Sequence, residues 1–212
     1  MTVSKGVATE ITDTLGIDPE RIETIYNPFN FEEIRMRAEA PFHSDYRYIL
    51  NIGTLNGVKR QDILLRAFAK LDSELHLVIL GEGRKRQSLE RLARKLGIEE
   101  RVHLPGWVGN PYPYLKHAEL FTLSSEAEGL SMVLIEALGT GTPAVSTDAP
   151  HGPSEILTGP LSRYLARVND PDDLARKMAD ALQAYPPVSE GYLKPFAAEE
   201  SVRRYLSCID CV

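Results

Sequence analysis

The fold is decided by one stretch of the sequence, Ser124-Ser125-Glu126-Ala127-Glu128-Gly129-Leu130-Ser131-Met132-Val133-Leu134-Ile135-Glu136-Ala137-Leu138-Gly139-Thr140-Gly141-Thr142-Pro143. It follows an apolar, strand-like run at residues 119–123 and opens a helix that is apolar almost all round. Such a helix is typically buried. It nevertheless carries a carboxylate, Glu136, whose burial costs free energy unless another group hydrogen-bonds it. The partner is either a ligand hydroxyl or a structural group, such as a backbone amide or an arginine.

The turn before this helix carries a second carboxylate, Glu128, followed directly by Gly129. Glycine lets a ligand approach the backbone closely, and the free N–H groups of a first helical turn favour an anion. The segment therefore predicts a phosphate cradle with one carboxylate beside it and another about two turns into the helix.

Strand-like and helix-like segments alternate along the rest of the chain. Strands are predicted at residues 22–26, 48–52, 75–80, 102–104, 120–123, 144–147 and 163–168, the last as an edge strand. Further helices are predicted at residues 3–16, 61–71, 84–96, 111–118, 154–157, 171–184 and 197–208. This alternation predicts an α/β fold, a Rossmann-like parallel sheet with helices on both faces.

Glycine-rich loops follow four of the predicted strands. They are Gly53-Thr54, Gly81-Glu82-Gly83, Gly106-Trp107 and residues 124–130. In open parallel sheets, ligands bind beyond the carboxyl ends of the strands. The topology alone therefore predicts that these loops converge on one binding rim.

Composition narrows the class of protein further. The 212-residue chain is 43% hydrophobic and has a net charge of −6, which argues against non-specific binding to nucleic acid or an anionic membrane. No apolar run is long enough for a transmembrane helix, and no signal peptide is visible, so we expect a cytoplasmic protein. Cys208 and Cys211 are predicted to be free thiols.

Glu128 and Glu136 are separated by seven residues and resemble the E-x7-E signature of retaining glycosyltransferases of the GT-B fold, in particular the GT4 (group 1) family. The resemblance covers nearly the whole chain, but only the C-terminal, donor-binding half of a complete enzyme. It implies that residues 1–28 are the end of the acceptor domain with its linker. Residues 29–186 would form the nucleotide-sugar-binding domain, and residues 187–212 a C-terminal linker and helix.

The resemblance also implies roles for the residues of the signature. Glu128 would touch the donor sugar and Glu136 would bond the ribose hydroxyls. The backbone N–H groups of Gly129, Leu130 and Ser131 would bind sugar hydroxyl or diphosphate oxygens. A double displacement with Glu128 as the nucleophile stays open beside front-face transfer, in which Glu128 only positions the sugar.

The family carries a G-R-x4-K pattern after the first strand, and its arginine and lysine neutralise the diphosphate. Here Gly53 and Lys59 are retained, but Thr54 stands where arginine is usual. A diphosphate leaving group needs positive charge as its bond to the sugar breaks. We therefore assign Lys59, with Glu128, to catalysis and expect weakened transfer unless Arg60 compensates.

Two further loops bear on the nucleotide. Residues 106–110, with Val108 and Asn110, match the family segment whose backbone contacts the nucleobase, where Trp107 is either a stacking residue or an ordinary rim aromatic. Residues 148–155 resemble a loop of family members that use UDP-linked hexoses or N-acetylhexosamines. His151 lacks the setting of a catalytic base, and the other four histidines lack metal-ligand spacing, so they are predicted at the surface or in packing contacts.

The function implied is transfer of a hexosyl or N-acetylhexosaminyl group from a nucleoside diphosphate sugar, with UDP favoured, to an acceptor hydroxyl. It implies no cofactor and no metal. The acceptor, a glycan or lipid-linked glycan, would bind a missing N-terminal domain, so the isolated chain is predicted to be inactive. The complete enzyme would work in the cytoplasm or at the inner membrane face.

Three other functions compete with this one. A non-catalytic nucleotide-sugar-binding subunit that works with a partner chain or a second copy is favoured by Thr54. A 2-epimerase of UDP-N-acetylglucosamine would need acid–base residues from the absent domain. An NAD-dependent oxidoreductase is disfavoured, because no G-x-G-x-x-G motif follows the first strand.

Overall fold

The computed structural model describes residues 1–71 and 74–209. Its strands are β1 (Tyr48–Ile52), β2 (His76–Leu80), β3 (Val102–Gly106), β4 (Leu120–Leu123), β5 (Ala144–Thr147) and β6 (Leu165–Ala166). They form one six-stranded sheet in the order β3-β2-β1-β4-β5-β6. Every neighbouring pair runs parallel, as the strand–helix alternation predicted.

Helices cover both faces of this sheet. They are α1 (Lys5–Leu15), α2 (Phe31–Ala38), α3 (Gln61–Phe68), α4 (Arg86–Lys95), α5 (Tyr112–His117), α6 (Met132–Gly139), α7 (Pro153–Ile156), α8 (Pro171–Gln183), α9 (Glu190–Leu193) and α10 (Ala198–Ile209). Apolar residues of α2, α5 and α6 pack on one face of the sheet. Those of α3, α4 and α8 pack on the other. The predicted Rossmann-like fold class is confirmed.

The continuous apolar character of β1 follows from this double cover. Successive side chains of a strand point to opposite faces. Leu50 accordingly joins the core under α2, α5 and α6, while Ile49 joins the core under α3, α4 and α8. Both residues are fully buried, as expected of a central strand in a parallel sheet.

Two predicted strands were wrong in whole or in part. Residues 22–26 make only one isolated bridge, between Thr2 and Thr24, because no further strand among the described residues extends the pairing. Residues 163–168 form a strand only at β6, since the chain before it turns as a 3-10 helix at Gly159–Tyr164. Of the two predicted thiols, Cys208 is free, and Cys211 lies outside the described residues.

Two helices escaped the sequence-based prediction, α2 and α9. The residue before α2, Asn30, is of a type that often caps a helix start, so the sequence carried a signal for this helix. In the structure, the Asn30 side chain accepts a hydrogen bond from the backbone N–H of Glu33 at 3.0 Å.

Among the described residues, none of the helices combines the length and hydrophobicity that crossing a bilayer requires.

Helix α1 is fastened to the sheet domain by Glu155, in α7. The Glu155 carboxylate accepts the backbone N–H groups of Lys5 and Gly6, each at 2.9 Å, and the Tyr26 hydroxyl at 2.8 Å. The N–H groups at a helix start lack partners within the helix and favour a negative charge. A carboxylate from a distant segment therefore caps α1 and holds residues 1–26 against α7.

Aromatic and imidazole rings cluster at the amino end of the sheet, opposite the predicted binding rim. His76 Nδ1 and His103 Nε2 lie 2.8 Å apart, and the Tyr46 ring stacks on both at 4.3 and 4.4 Å. Burial, with the charge of His76 as a second cause, holds the pKa of the His103 imidazole below its usual value.

This cluster predicts a loss of stability in acid. The unfolded chain takes up a proton at His103 near pH 6.5, which the folded chain resists. Because the folded-state pKa is lowered, the stability is fully present above about pH 6.5 and is lost as the pH falls through the folded-state value. We expect urea unfolding to show a lower free energy at pH 5.5 than at pH 7.5.

The variant His103→Asn should reduce this difference between the two pH values. The matched control is His43→Asn, because the His43 side chain is 85% exposed. Equal pH dependence in the parent chain and His103→Asn would contradict the assignment.

Candidate functional site

The loops at the carboxyl ends of the strands meet as predicted, and backbone hydrogen bonds join them. The N–H of Gly81 donates to the carbonyl of Gly106 at 2.8 Å, and the N–H of Glu126 donates to the carbonyl of Val58 at 2.8 Å. A third bond runs from the Glu128 N–H to the Pro150 carbonyl at 3.3 Å. The N–H of Leu55 donates to the carbonyl of Glu82 at 2.9 Å, which joins the loops after β1 and β2. The loops after β1, β2, β3, β4 and β5 therefore form one continuous rim.

At the centre of this rim, Lys59 and Glu128 form an ion pair. Lys59 Nζ lies 2.7 Å from Glu128 Oε1, and the two side chains are 28% and 8% exposed. The Lys59 carbonyl accepts the Ser124 hydroxyl at 2.9 Å, which fixes the lysine loop to the signature loop. A Cβ at Gly53 would lie 3.6 Å from Lys59 Cγ, so the lysine stem runs over that glycine. The structure thus brings Gly53, Lys59 and Glu128 together.

The two other residues predicted to contact the diphosphate, Thr54 and Arg60, do not join this ion pair. Thr54 is exposed, and its carbonyl accepts the Gln61 side chain at 3.2 Å. The Arg60 guanidinium pairs with Asp62 at 3.0 Å and Glu126 at 3.4 Å, and it also donates to Asn169. Two carboxylates already neutralise Arg60, so it must leave these partners before it can supply the positive charge that Thr54 does not. Contact between Arg60 and the nucleotide sugar stays a prediction.

The turn that precedes α6 presents open backbone. Among the described residues, the N–H groups of Gly129, Leu130 and Ser131 have no hydrogen-bond partner. A Cβ at Gly129 would meet no atom within 4 Å, so this position faces open space. From the other side, Gly152 packs against the turn, since its Cβ would lie 3.1 Å from Leu130 Cα. These free donors fit the predicted cradle for an anion.

Glu136 lies in α6 with its side chain half-buried. Tyr112, the first residue of α5, donates its hydroxyl to Glu136 Oε1 at 3.1 Å. Burial raises the pKa of Glu136, while the Tyr112 hydrogen bond and the charge of Arg37 act the other way. Burial and the neighbouring carboxylate raise the pKa of Tyr112 to about 12. The structural partner of Glu136 is therefore a tyrosine, which neither sequence-based alternative named.

Arg37, in α2, also lies at this site and was not predicted from the sequence. Its Cζ lies 4.8 Å from the centre of the Tyr112 ring, and its carbonyl accepts the Asn110 side chain at 3.0 Å. Val108 is half-buried against the core, and Trp107 is 77% exposed at the rim. The predicted nucleobase loop is thus attached to α2, and only the capping pattern at the start of α2 could have pointed to this helix.

The arrangement places the Lys59 ammonium, the unpaired N–H groups of residues 129–131 and the carboxylates of Glu128 and Glu136 at this rim. Positive charge and N–H donors stabilise a departing diphosphate, and carboxylates accept hydrogen bonds from sugar hydroxyls. Within the described residues, no three His, Cys, Asp or Glu side chains are grouped to hold a metal ion. The expectation of metal-free chemistry stays a prediction.

Comparisons with known proteins point to one family. The family model described as "Glycosyl transferases group 1" matches residues 32–190. A Campylobacter jejuni protein named N-acetylgalactosamine-N,N'-diacetylbacillosaminyl-diphospho-undecaprenol 4-alpha-N-acetylgalactosaminyltransferase is 33% identical over 180 residues. The match covers 85% of this chain and 49% of that relative, so the chain spans about half the relative's length.

Two solved structures resemble the whole chain. The apo form of the lipopolysaccharide outer core galactosyltransferase WaaB superposes with a TM-score of 0.83 at 25% identity, over 99% of this chain and 61% of that one. Anabaena HepE in complex with UDP superposes with a TM-score of 0.85 at 17% identity, over 100% of this chain and 63% of that one. The second likeness shows the fold alone.

Proposed function

This chain belongs to the family of group 1 glycosyl transferases, and from that membership we propose that it is the donor-binding part of a retaining enzyme. The enzyme would move a hexosyl or N-acetylhexosaminyl group from a UDP-sugar to an acceptor hydroxyl. The observation that carries the proposal is the ion pair between Lys59 and Glu128, because Glu128 directly precedes residues 129–131, whose N–H groups are unpaired among the described residues. In the proposed complex this ion pair would lie between the diphosphate and the sugar.

The proposed chemistry follows from the charges at this rim. On donor binding, Lys59 Nζ and the N–H groups of residues 129–131 would contact the diphosphate. They would stabilise the negative charge that grows as the bond to the anomeric carbon breaks. Glu128 would then accept hydrogen bonds from the sugar, and Glu136 from the ribose. Front-face transfer would keep the anomeric configuration.

The choice of UDP and of the acceptor is supported by the relatives. HepE was solved with UDP, and the name of the Campylobacter relative specifies an undecaprenol-linked acceptor. We propose a glycan or lipid-linked glycan as the acceptor of the complete enzyme. It would bind to a part of the enzyme outside this chain.

A second candidate function is a nucleotide-sugar-binding subunit that does not catalyse transfer by itself. It is favoured by Thr54 in place of the usual arginine and by the neutralisation of Arg60 by Asp62 and Glu126. Both functions require nucleotide binding. They differ in whether transfer appears when a partner chain or a second copy supplies the acceptor site.

Calorimetric titration of the chain with UDP, GDP and ADP tests the proposal. We expect selective binding of UDP, weakened about tenfold in Glu136→Ala, because a charge-assisted hydrogen bond to ribose is lost. Glu99→Ala is the matched control, since Glu99 is exposed in the 3-10 turn before β3. Equal affinity for all three nucleotides, unchanged in Glu136→Ala, would reject the proposed donor site.

A further inference from the structure

We propose that Tyr112 is a positioning residue that orients the Glu136 carboxylate towards the ribose hydroxyls, with Arg37 holding the tyrosine ring from behind. Tyr112 and Arg37 would thereby set how strongly the site distinguishes a ribonucleotide from its deoxy analogues. This inference rests on the proposed function, in which Glu136 bonds the ribose.

The two carboxylate oxygens of Glu136 differ in their hydrogen bonding. Oε1 accepts the Tyr112 hydroxyl at 3.1 Å. Among the described residues, Oε2 has no hydrogen-bond partner, so it remains available to a ligand hydroxyl. A carboxylate fixed through one oxygen has a defined orientation for the other. The ribose-binding atom is therefore oriented before the nucleotide arrives, which lowers the entropic cost of binding.

Tyr112 is itself held in place on two sides. Its ring packs against the core formed by α2, α5 and α6, while Arg37 Cζ lies 4.8 Å from the ring centre. A guanidinium at this distance from an aromatic ring is attracted by the ring quadrupole. The Asn110 side chain donates to the Arg37 carbonyl at 3.0 Å, so the predicted nucleobase loop is attached to the same residue. The base-contacting and ribose-contacting parts of the site thus share one support.

The charge of Arg37 serves the same end. Burial favours the neutral, protonated form of Glu136, and Arg37 and the Tyr112 hydroxyl oppose this effect. An ionised carboxylate accepts hydrogen bonds at both oxygens, whereas a protonated one gives up part of that capacity. Tyr112 and Arg37 therefore maintain both the orientation and the acceptor state of Glu136.

The test compares Tyr112→Phe with Tyr114→Phe. Tyr112→Phe removes only the hydroxyl and keeps the packing ring. Tyr114→Phe makes the same chemical change in the same helix, where the ring packs against Phe42 at 4.6 Å between ring centres. Calorimetry would give the affinities of each variant, the parent chain and Glu136→Ala for UDP and for 2'-deoxy-UDP and 3'-deoxy-UDP.

We expect the parent chain and Tyr114→Phe to prefer UDP over at least one deoxy analogue. In Tyr112→Phe, UDP affinity should fall about threefold to tenfold. The affinity for the analogue that lacks the bonded hydroxyl should stay the same, so that the preference shrinks. The acid-side loss of UDP affinity should also begin at higher pH in Tyr112→Phe, because a hydrogen bond to the charged form of Glu136 is gone.

The outcomes separate the two proposals. If Tyr112→Phe loses affinity for UDP and for both deoxy analogues by the same factor, the preference for UDP is unchanged. That result would make Tyr112 a packing residue and overturn the inference. An unchanged preference in Tyr112→Phe, with a lost preference in Glu136→Ala, would overturn the inference and leave the proposed function intact. A preference unchanged in Glu136→Ala would instead reject the proposed role of Glu136.

Discussion

Lys59→Gln is expected to weaken UDP binding by about 10- to 100-fold, the largest effect of any single substitution at the rim. Glutamine keeps much of the length and a hydrogen-bond donor for Glu128, but it removes the positive charge. In the proposed complex the diphosphate would place its negative charge at Lys59 Nζ, and hydrogen bonds to charged groups are about twice as strong as neutral ones. Thr54 stands in the usual arginine position, and the neighbouring cation, Arg60, must leave Asp62 and Glu126 before it can replace this charge.

Neutralising the other member of the ion pair, in Glu128→Gln, should change UDP affinity in the opposite direction. In Glu128→Gln, Lys59 is released from its 2.7 Å ion pair, and a negative charge beside the diphosphate disappears. We therefore expect UDP to bind more tightly to Glu128→Gln than to the parent chain, while the added affinity from the sugar of a UDP-sugar is reduced. Opposite changes in two residues of one ion pair are difficult to produce by general loss of structure.

The measurement is calorimetry with UDP and with uridine, which lacks the diphosphate. Lys59→Gln should lower UDP affinity and leave uridine affinity unchanged. The control is Lys85→Gln, an exposed lysine in the turn before α4. Equal losses for UDP and uridine in Lys59→Gln would show that Lys59 does not contact the diphosphate.

The sheet was predictable because its signals are local. The strands β1, β4 and β5 have the predicted bounds, since each is a short apolar run closed by turn residues. The convergence of the glycine-rich loops followed from parallel topology, which places strand ends at one edge. The pairing of Lys59 with Glu128 was within reach, because a family resemblance places both at the donor.

The support of Glu136 was not predictable from one sequence. Tyr112 and Arg37 reach it from different helices, and α2 was itself not predicted. Nothing in the local pattern of either segment specifies a contact across the fold. The same limit applies to Arg60, whose ion pair with Glu126 and hydrogen bond to Asn169 come from distant loops.

The second large effect concerns stability, at Gly81, directly after β2. Gly81 has φ of +133°, a conformation that residues with a Cβ rarely adopt. An added Cβ would lie 2.2 Å from the carbonyl oxygen of Gly53, which belongs to the neighbouring loop. The clash involves backbone on both sides, and the Gly81 N–H is fixed to the Gly106 carbonyl at 2.8 Å. No flexible side chain can move to relieve it.

Gly81→Ala is therefore expected to lower the free energy of unfolding by about 3 kcal/mol or more, from backbone strain and steric overlap together. The matched control is Gly57→Ala, in the Lys59 loop, where an added Cβ would meet no atom within 4 Å. That control should change stability by less than about 1 kcal/mol. Urea unfolding of the two variants measures the difference.

The same pair of variants also tests how the fold supports the site. If Gly81→Ala remains folded at low temperature, Gly53 must shift away from the new Cβ, and Lys59 runs over Gly53. UDP affinity should then fall in Gly81→Ala and not in Gly57→Ala. A Gly81→Ala variant as stable as Gly57→Ala would mean that the loops after β1 and β2 do not approach as closely as the structure places them, and that the rim tolerates a wider spacing.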